Sequence, residues 1–387
     1  MFDRLLNPTK TNSYFLFGAR GTGKTTWLNN HFSSQKALFI DLLDPEEEDL
    51  LARNPSELTN RINARPDIDW VIIDEIQKVP KLLNLVHKTI ESGNIRFILT
   101  GSSGRKLKRG VSNLLAGRAF VYNLFPLTHS EIKDAFDLSE VLHWGTLPQI
   151  YSYSTSEDKA QYLRSYALTY LKEEIVSEQI IRKLDPFRYF LEVAAQSNGK
   201  IVNFSKIAGD IGVDTKTVQS YYSILEDTLI GILLPPYHTS IRKRQRSNPK
   251  FYLFDLGVKR ALERSLTIGF QERTHAFGQA FEHFLILEII RLSGYQNKDW
   301  TFSYLQTKDN AEIDLIIDRP GMPTALIEIK STSQIKERDV SILNRFAKDI
   351  KNSEPFCLSR DANEKKIESV WCCPWQKAFE KLGLNLP

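Results

Sequence analysis

Gly18-Ala19-Arg20-Gly21-Thr22-Gly23-Lys24-Thr25 decides the fold of this 387-residue chain. The stretch fits Gly-x-x-x-x-Gly-Lys-Thr, in which each fixed position has a physical task. The glycines let the backbone turn its N–H groups inward around phosphate oxygens, in dihedrals that a Cβ forbids. Lys24 is placed to reach the terminal phosphates, and the Thr25 hydroxyl to bind Mg²⁺. The candidate nucleotide-binding residues are therefore Gly18, Arg20, Gly21, Thr22, Gly23, Lys24, Thr25 and Thr26. Tyr14-Phe15-Leu16-Phe17 before the loop predicts a buried strand, and Thr26-Trp27-Leu28-Asn29-Asn30 after it predicts the first turns of a helix. Such a helix aims its N-terminus at the anion.

A second apolar run, Trp70-Val71-Ile72-Ile73, delivers Asp74 and Glu75 at its end. Mg-NTP chemistry needs two acids so placed: Asp74 for the Mg²⁺ shell, through water, and Glu75 as general base for the attacking water. Two further strands are predicted at Ala37-Leu38-Phe39-Ile40 and Arg96-Phe97-Ile98-Leu99. The latter leads into Thr100-Gly101-Ser102-Ser103, where Thr100 is a candidate sensor of the γ-phosphate or the attacking water. Strands alternating with helical segments predict a parallel α/β sheet with helices on both faces and its ligand at the C-terminal edge.

The run from Phe97 to Ser103, then Leu115-Ala116-Gly117-Arg118, then Leu124-Phe125-Pro126-Leu127 resembles a prokaryotic group of AAA-type (AAA_14) P-loop ATPases. That group joins the ATPase to a C-terminal region of uncertain function, DUF4143, and the resemblance spans nearly the whole chain. It implies ATP and Mg²⁺ as cofactors. It also makes Arg118 a candidate arginine finger, acting in cis or on a neighbouring subunit of a homo-oligomer. Arg105, Lys106, Lys108 and Arg109 lie in the intervening Gly-flanked loop, open either to solvent or to nucleic-acid phosphates.

Residues 141 to about 186 read as helical, with Leu163, Tyr166, Ala167, Tyr170 and Leu171 forming an apolar stripe. Gly145-Thr146-Leu147-Pro148 is expected to end an element locally. Phe204, Ile207, Ala208 and Ile211 predict a short amphipathic helix, followed by a turn at Gly212-Val213. Asp214 or Thr215 then caps a second helix whose inner face carries Val218, Tyr221, Tyr222 and Leu225. Its outer face carries Lys216, Thr217, Gln219, Ser220 and Ser223, polar side chains of the kind that can lie along a groove of DNA. Ile230-Gly231-Ile232-Leu233-Leu234 and Phe251-Tyr252-Leu253-Phe254 complete a winged-helix pattern. Arg242-Lys243-Arg244-Gln245-Arg246 lies between these strands, and Lys250 follows. A basic wing suits DNA backbone contact, while the same module also serves elsewhere as a protein-docking unit.

Near the C-terminus, Gly278-Gln279-Ala280-Phe281-Glu282 opens a long apolar helix. The strand Ala311-Glu312-Ile313-Asp314-Leu315-Ile316-Ile317 turns at Arg319-Pro320-Gly321 to pair with Ala325-Leu326-Ile327-Glu328-Ile329-Lys330. Alternation puts Glu312 with Asp314, and Glu328 with Lys330, on common faces. Asp314 and Glu328 could chelate Mg²⁺, with Glu282 as an outer ligand and Lys330 handling the attacking water. This order resembles the PD-(D/E)xK nuclease superfamily, with Ile313 where a proline is often found. The resemblance implies a restriction-endonuclease-like α/β fold for the C-terminal part. The expected domains are 1–140 (ATPase), 141–186 (helical linker), 187–258 (winged helix) and 259–387 (nuclease-like).

Composition sets the outer limits. A hydrophobic share of 42%, 25% charged residues and a net charge of +4 are ordinary for a globular chain. Cys357, Cys372 and Cys373 lack zinc-ligand spacing, and His87, His129, His143, His238, His275 and His283 are scattered, which assigns these histidines to packing or surface hydrogen bonding. No apolar run approaches ~18 residues, so neither membrane insertion nor secretion is expected and the cytoplasm is the predicted compartment. The expected activity is Mg-dependent ATP hydrolysis that controls nucleic-acid engagement. The alternatives are an ATP-gated metal-dependent nuclease and a STAND-type scaffold ATPase that binds protein partners.

Overall fold

The computed structural model describes residues 2–32, 36–93, 95–102, 115, 117–170, 184–238 and 248–385. Ser103, Arg105, Lys106, Lys108, Arg109, Ala116, Leu171 and the basic run Arg242 to Arg246 lie outside the described residues. The chain divides into two compact units. One comprises Met1–Leu127 with Leu147–Gln149 and Ile224–Ile230; the other comprises Thr128–Thr146, Ile150–Ser223 and Gly231–Pro387.

In the first unit, β1 (Ser13–Phe17), β2 (Ala37–Asp41), β3 (Trp70–Asp74), β4 (Arg96–Gly101) and β5 (Ala119–Asn123) form one sheet of order β2-β3-β4-β1-β5. Every pairing is parallel. Strand alternation sends Phe15, Phe17, Val71, Ile73, Phe97 and Leu99 to one face. There they pack with Leu51, Leu58, Ile62, Leu82 and Val86 from three helices. Tyr14 and Trp70 face the other way, and Phe32 from the helix Lys24–Phe32 meets Trp70 with ring centroids 5.4 Å apart. Burial on both faces explains why β1 is apolar over residues 14–17 and β3 over residues 70–73. β5 is a half-exposed edge strand, with Phe120 and Val121 turned to solvent, and its apolar pattern is correspondingly weak.

The second unit begins with short helices. The run expected to be helical from residue 141 breaks at Gly145, which has φ +74 and closes the helix Leu138–Trp144. The helix Ser156–Ser165 and a π turn over Tyr166–Tyr170 follow. A buried polar network ties this region together. Asp255 accepts from the Thr146 N–H at 2.7 Å and from the Val258 N–H at 3.0 Å, capping the helix Leu256–Leu262. Arg291 donates to the Thr146 hydroxyl at 2.9 Å and to the Phe254 carbonyl at 2.7 Å. The Leu256–Leu262 helix approaches so closely that a Cβ on Gly257 would lie 2.0 Å from the Trp144 carbonyl oxygen. Gly257→Ala is expected to cost roughly 3 kcal/mol through forced backbone displacement, read as a lowered denaturation midpoint. An unchanged midpoint would show that the contact relaxes freely.

The predicted helix pair is present as Phe204–Ile211 and Thr215–Asp227, with Gly212 in the left-handed region (φ +70). Asp214 is the cap, accepting from the Thr217 N–H at 2.8 Å. Val218, Tyr221, Tyr222 and Leu225 are buried, whereas Lys216, Gln219, Ser220 and Ser223 are exposed and Thr217 is half-buried. β6 (Gly231–Leu234) and β7 (Lys250–Leu253) pair as an antiparallel ribbon.

A second sheet holds β8 (Thr301–Gln306), β9 (Glu312–Asp318), β10 (Thr324–Lys330), β11 (Ser353–Ser359), β12 (Lys365–Ile367) and β13 (Val370–Pro374), in the order β12-β13-β11-β10-β9-β8. The β9–β10 hairpin is the predicted one; β11 and β13 extend it in parallel. Val340, Leu343 and Phe346 of the helix Glu337–Asp349 cover one face with Ile313, Ile316 and Leu326. All three cysteines are buried and unbridged.

Candidate functional sites

The phosphate loop joins the end of β1 to the helix that begins at Lys24. Gly21 (φ +80) and Gly23 (φ +92) hold conformations that side chains rarely adopt. Lys24 is buried, and its ammonium donates to the Gly18 carbonyl at 2.8 Å, so the charge is held inside the loop. Thr22 is buried and its hydroxyl donates to the Ala19 carbonyl at 2.9 Å. Arg20, Thr25 and Thr26 are exposed on the same loop and first turn.

Because β4 lies between β1 and β3, the end of β4 separates the loop from the acids. Thr100 fills that place. Its hydroxyl donates to Asp74 Oδ1 and accepts from the Glu75 N–H at 3.0 Å. Asp74 Oδ2 in turn accepts from the Thr25 hydroxyl at 2.6 Å. A continuous chain thus runs Thr25–Asp74–Thr100–Glu75. Thr100 is fully buried, and its hydroxyl links the Asp74 carboxylate to the Glu75 backbone N–H. Glu75 sits at φ 57, a left-handed conformation that is uncommon for a non-glycine residue and swings its side chain out of the strand. Gln77, which the sequence did not single out, donates to Glu75 Oε2 and lies 3.4 Å from the Ser102 hydroxyl.

Arg118 was expected to act either in cis or on a neighbouring subunit. It immediately precedes β5, which runs parallel to β1, so it stands at the edge where strands begin. The phosphate loop stands at the edge where they end, about 17 Å away along a five-residue strand. Arg118 instead pairs with Glu91 at 2.8 Å. It is not placed to act as a finger in cis.

The second cluster lies wholly within the other unit. Continuing the β9–β10 register sets Asp314 across from Glu328, and the Asp314 carboxylate accepts from the Ile329 N–H at 2.7 Å. Lys330 pairs with Glu328, whose second oxygen, Oε2, is buried without a hydrogen-bond partner. Glu282, from the helix His275–Tyr295, accepts from the Tyr252 hydroxyl at 2.7 Å. Lys250, which follows the basic run in sequence, is only 4% exposed; its ammonium pairs with Glu312 and lies 3.7 Å from Glu282. Burial, with Asp314 beside it, raises the Glu282 carboxyl to about 7. The same two causes raise Glu328 to about 8, and burial also raises Asp314. Among the described residues, no group of three or more His, Cys, Asp or Glu is arranged to hold a metal ion. Asp314 and Glu328 are brought together, and Glu282 lies beside them, held by Tyr252 and near Lys250.

Residues 10–133 match the AAA_14 family, described as an AAA domain. Residues 135–271 match DUF8612 and residues 277–378 match DUF4143, both domains of unknown function. An uncharacterized protein of Mycobacterium tuberculosis is 27% identical over 325 residues, 82% of this chain and 70% of its own length. One from Methanocaldococcus jannaschii is 22% identical over 405 residues, covering 94% of this chain and 88% of the relative. Among solved structures, AMPPCP-bound DnaA from Aquifex aeolicus is 14% identical with a TM-score of 0.29, over 56% of this chain and 82% of that one. Can2 from Sulfobacillus thermosulfidooxidans in complex with cyclic tetra-adenylate is 9% identical with a TM-score of 0.22, over 96% and 98%. Superpositions this loose carry no argument about function. No helix among the described residues is long and apolar enough to cross a membrane.

Proposed function

We propose that this chain is a Mg-dependent ATPase whose nucleotide state controls how residues 187–387 engage nucleic acid. The observation that carries the ATPase reading is the hydrogen-bonded chain from Thr25 through Asp74 and Thr100 to Glu75, set beside a buried Lys24. Thr25 and Asp74 offer the hard oxygen donors that Mg²⁺ prefers, so the residues present fit the ion. Held by Thr25 and Asp74, the ion would supply positive charge that offsets the negative charge building up during phosphoryl transfer. Lys24 leaves the Gly18 carbonyl for the phosphates of the substrate. Glu75 takes the proton of the attacking water, and Thr100 keeps both acids in register through its two hydrogen bonds. Phosphate release from Mg-ATP tests this directly; release no faster than from a Lys24→Ala chain would contradict it.

The nucleic-acid part has its support in the helix pair with its exposed polar face and in the basic run Arg242 to Arg246 that joins β6 to β7. In this reading residues 1–140 are the ATPase, 141–186 a linker, 187–258 a winged helix and 259–387 a nuclease-like domain. Arg118 then serves as a finger for a neighbouring copy in a homo-oligomer. A second reading, an ATP-gated nuclease, is favoured by one observation: Asp314 and Glu328 face each other with Glu328 Oε2 unpartnered. Plasmid incubated with Mn²⁺ should be cut by the native chain and not by Asp314→Ala. Equal cutting by both would place any nuclease activity elsewhere.

A further inference from the structure

The acidic cluster already contains a cation. Lys250 reaches it from β7, with a side chain 5% exposed, and its ammonium contacts Glu312 and lies 3.7 Å from Glu282. The surroundings hold it there. Tyr252, two residues on and therefore on the same face of β7, donates to the same Glu282 oxygen at 2.7 Å. Gln306 donates to the other Glu312 oxygen at 3.2 Å. The Tyr304 ring lies 5.4 Å from the ammonium, within cation–π range. The second lysine, Lys330, is 37% exposed and pairs with Glu328 alone. A buried ammonium among carboxylates occupies the space and supplies the charge that a metal ion would.

We propose that Lys250 is the resident cation of this cluster and competes with a divalent metal for its carboxylates. It claims Glu282 and Glu312, so that only Asp314 and Glu328, with the unpartnered Glu328 Oε2, remain open to an ion. Four carboxyl groups (Glu282, Glu312, Asp314, Glu328) are gathered around two ammoniums, Lys250 and Lys330. Lys250 also begins the strand that follows the basic run Arg242 to Arg246. Any ligand that shifts the β6–β7 ribbon thereby moves the cation in the cluster. The inference deepens the second reading above, but it stands or falls on metal affinity rather than cleavage.

The test is a Mn²⁺ titration of the nucleotide-free full chain, with free ion followed by electron paramagnetic resonance and stability by thermal unfolding. Lys250→Met should bind Mn²⁺ at least about tenfold more tightly than the native chain, and Lys250→Arg should match the native chain. Saturating Mn²⁺ should raise the melting temperature of Lys250→Met by roughly 5 °C while leaving the native value nearly unchanged. The double variant Lys250→Met with Glu312→Gln keeps the net charge of the cluster, and serves where the single variant fails to fold. It too should bind Mn²⁺ more tightly than the native chain. Native affinity in both variants, with no metal-dependent gain in melting temperature, would overturn the proposal and leave Lys250 a purely structural ion pair.

Discussion

Replacing Lys24 by alanine is expected to slow ATP hydrolysis by about 10³-fold and to weaken nucleotide binding at the same time. Both effects come from where the ammonium sits. It is buried within the loop on the Gly18 carbonyl at 2.8 Å, so its charge acts in a medium that screens it poorly. A charge that follows the phosphates as electron density shifts toward the leaving oxygens stabilises the transition state more than the ground state. Alanine also leaves the Gly18 carbonyl without this donor, which loosens the loop that the N–H groups must shape. Phosphate release and a fluorescent-nucleotide titration read the two losses separately. Binding and turnover both near native would remove the loop from the account.

The second large effect is expected at Glu75. Glu75→Gln keeps the size of the side chain and its ability to hydrogen-bond with Gln77, but it removes the basic oxygen. Turnover should fall by about 10²- to 10⁴-fold, the range for loss of a positioned general base, while ATP binding stays within a few-fold of native. The backbone argues that this residue is placed for chemistry. A left-handed glutamate at φ 57 is held by the Thr100 hydroxyl on its N–H at 3.0 Å, so the strained turn is supported from outside. Wild-type turnover in Glu75→Gln would assign the base elsewhere and leave the turn as architecture alone.

The first unit was legible because its physics is local. Strands buried on both faces read as apolar runs, and each of β1, β3 and β4 hands over to polar residues at the same sheet edge. What could not be read was anything set by an edge strand or by a distant partner. β5 alternates poorly because Phe120 and Val121 face solvent, and without β5 there was no way to see that Arg118 immediately precedes a strand, at the far edge. Thr100 was expected to follow the strand, yet only the strand order shows its hydroxyl bridging Asp74 and the Glu75 N–H.

In the C-terminal part, the hairpin and the opposition of Asp314 and Glu328 followed from alternation and one turn. The pairing of Lys250 with Glu312 did not. The available signal was the lysine's spacing from Tyr252: a lysine and a tyrosine two apart in an apolar strand share a face, so both heads need buried partners. Those partners, Glu282 and Glu312, lie far along the chain, where no periodicity reaches.

The central claim is that nucleotide state sets nucleic-acid engagement, and the Glu75→Gln chain tests it most directly because it holds ATP without consuming it. DNA affinity should be measured at one fixed salt concentration with ATP, with ADP and without nucleotide, and again across a salt series. The account predicts an affinity that differs at least about fivefold between the ATP and ADP states, with the salt dependence expected of phosphate contacts. The same affinity in all three states, or no salt-sensitive binding in any of them, would contradict it.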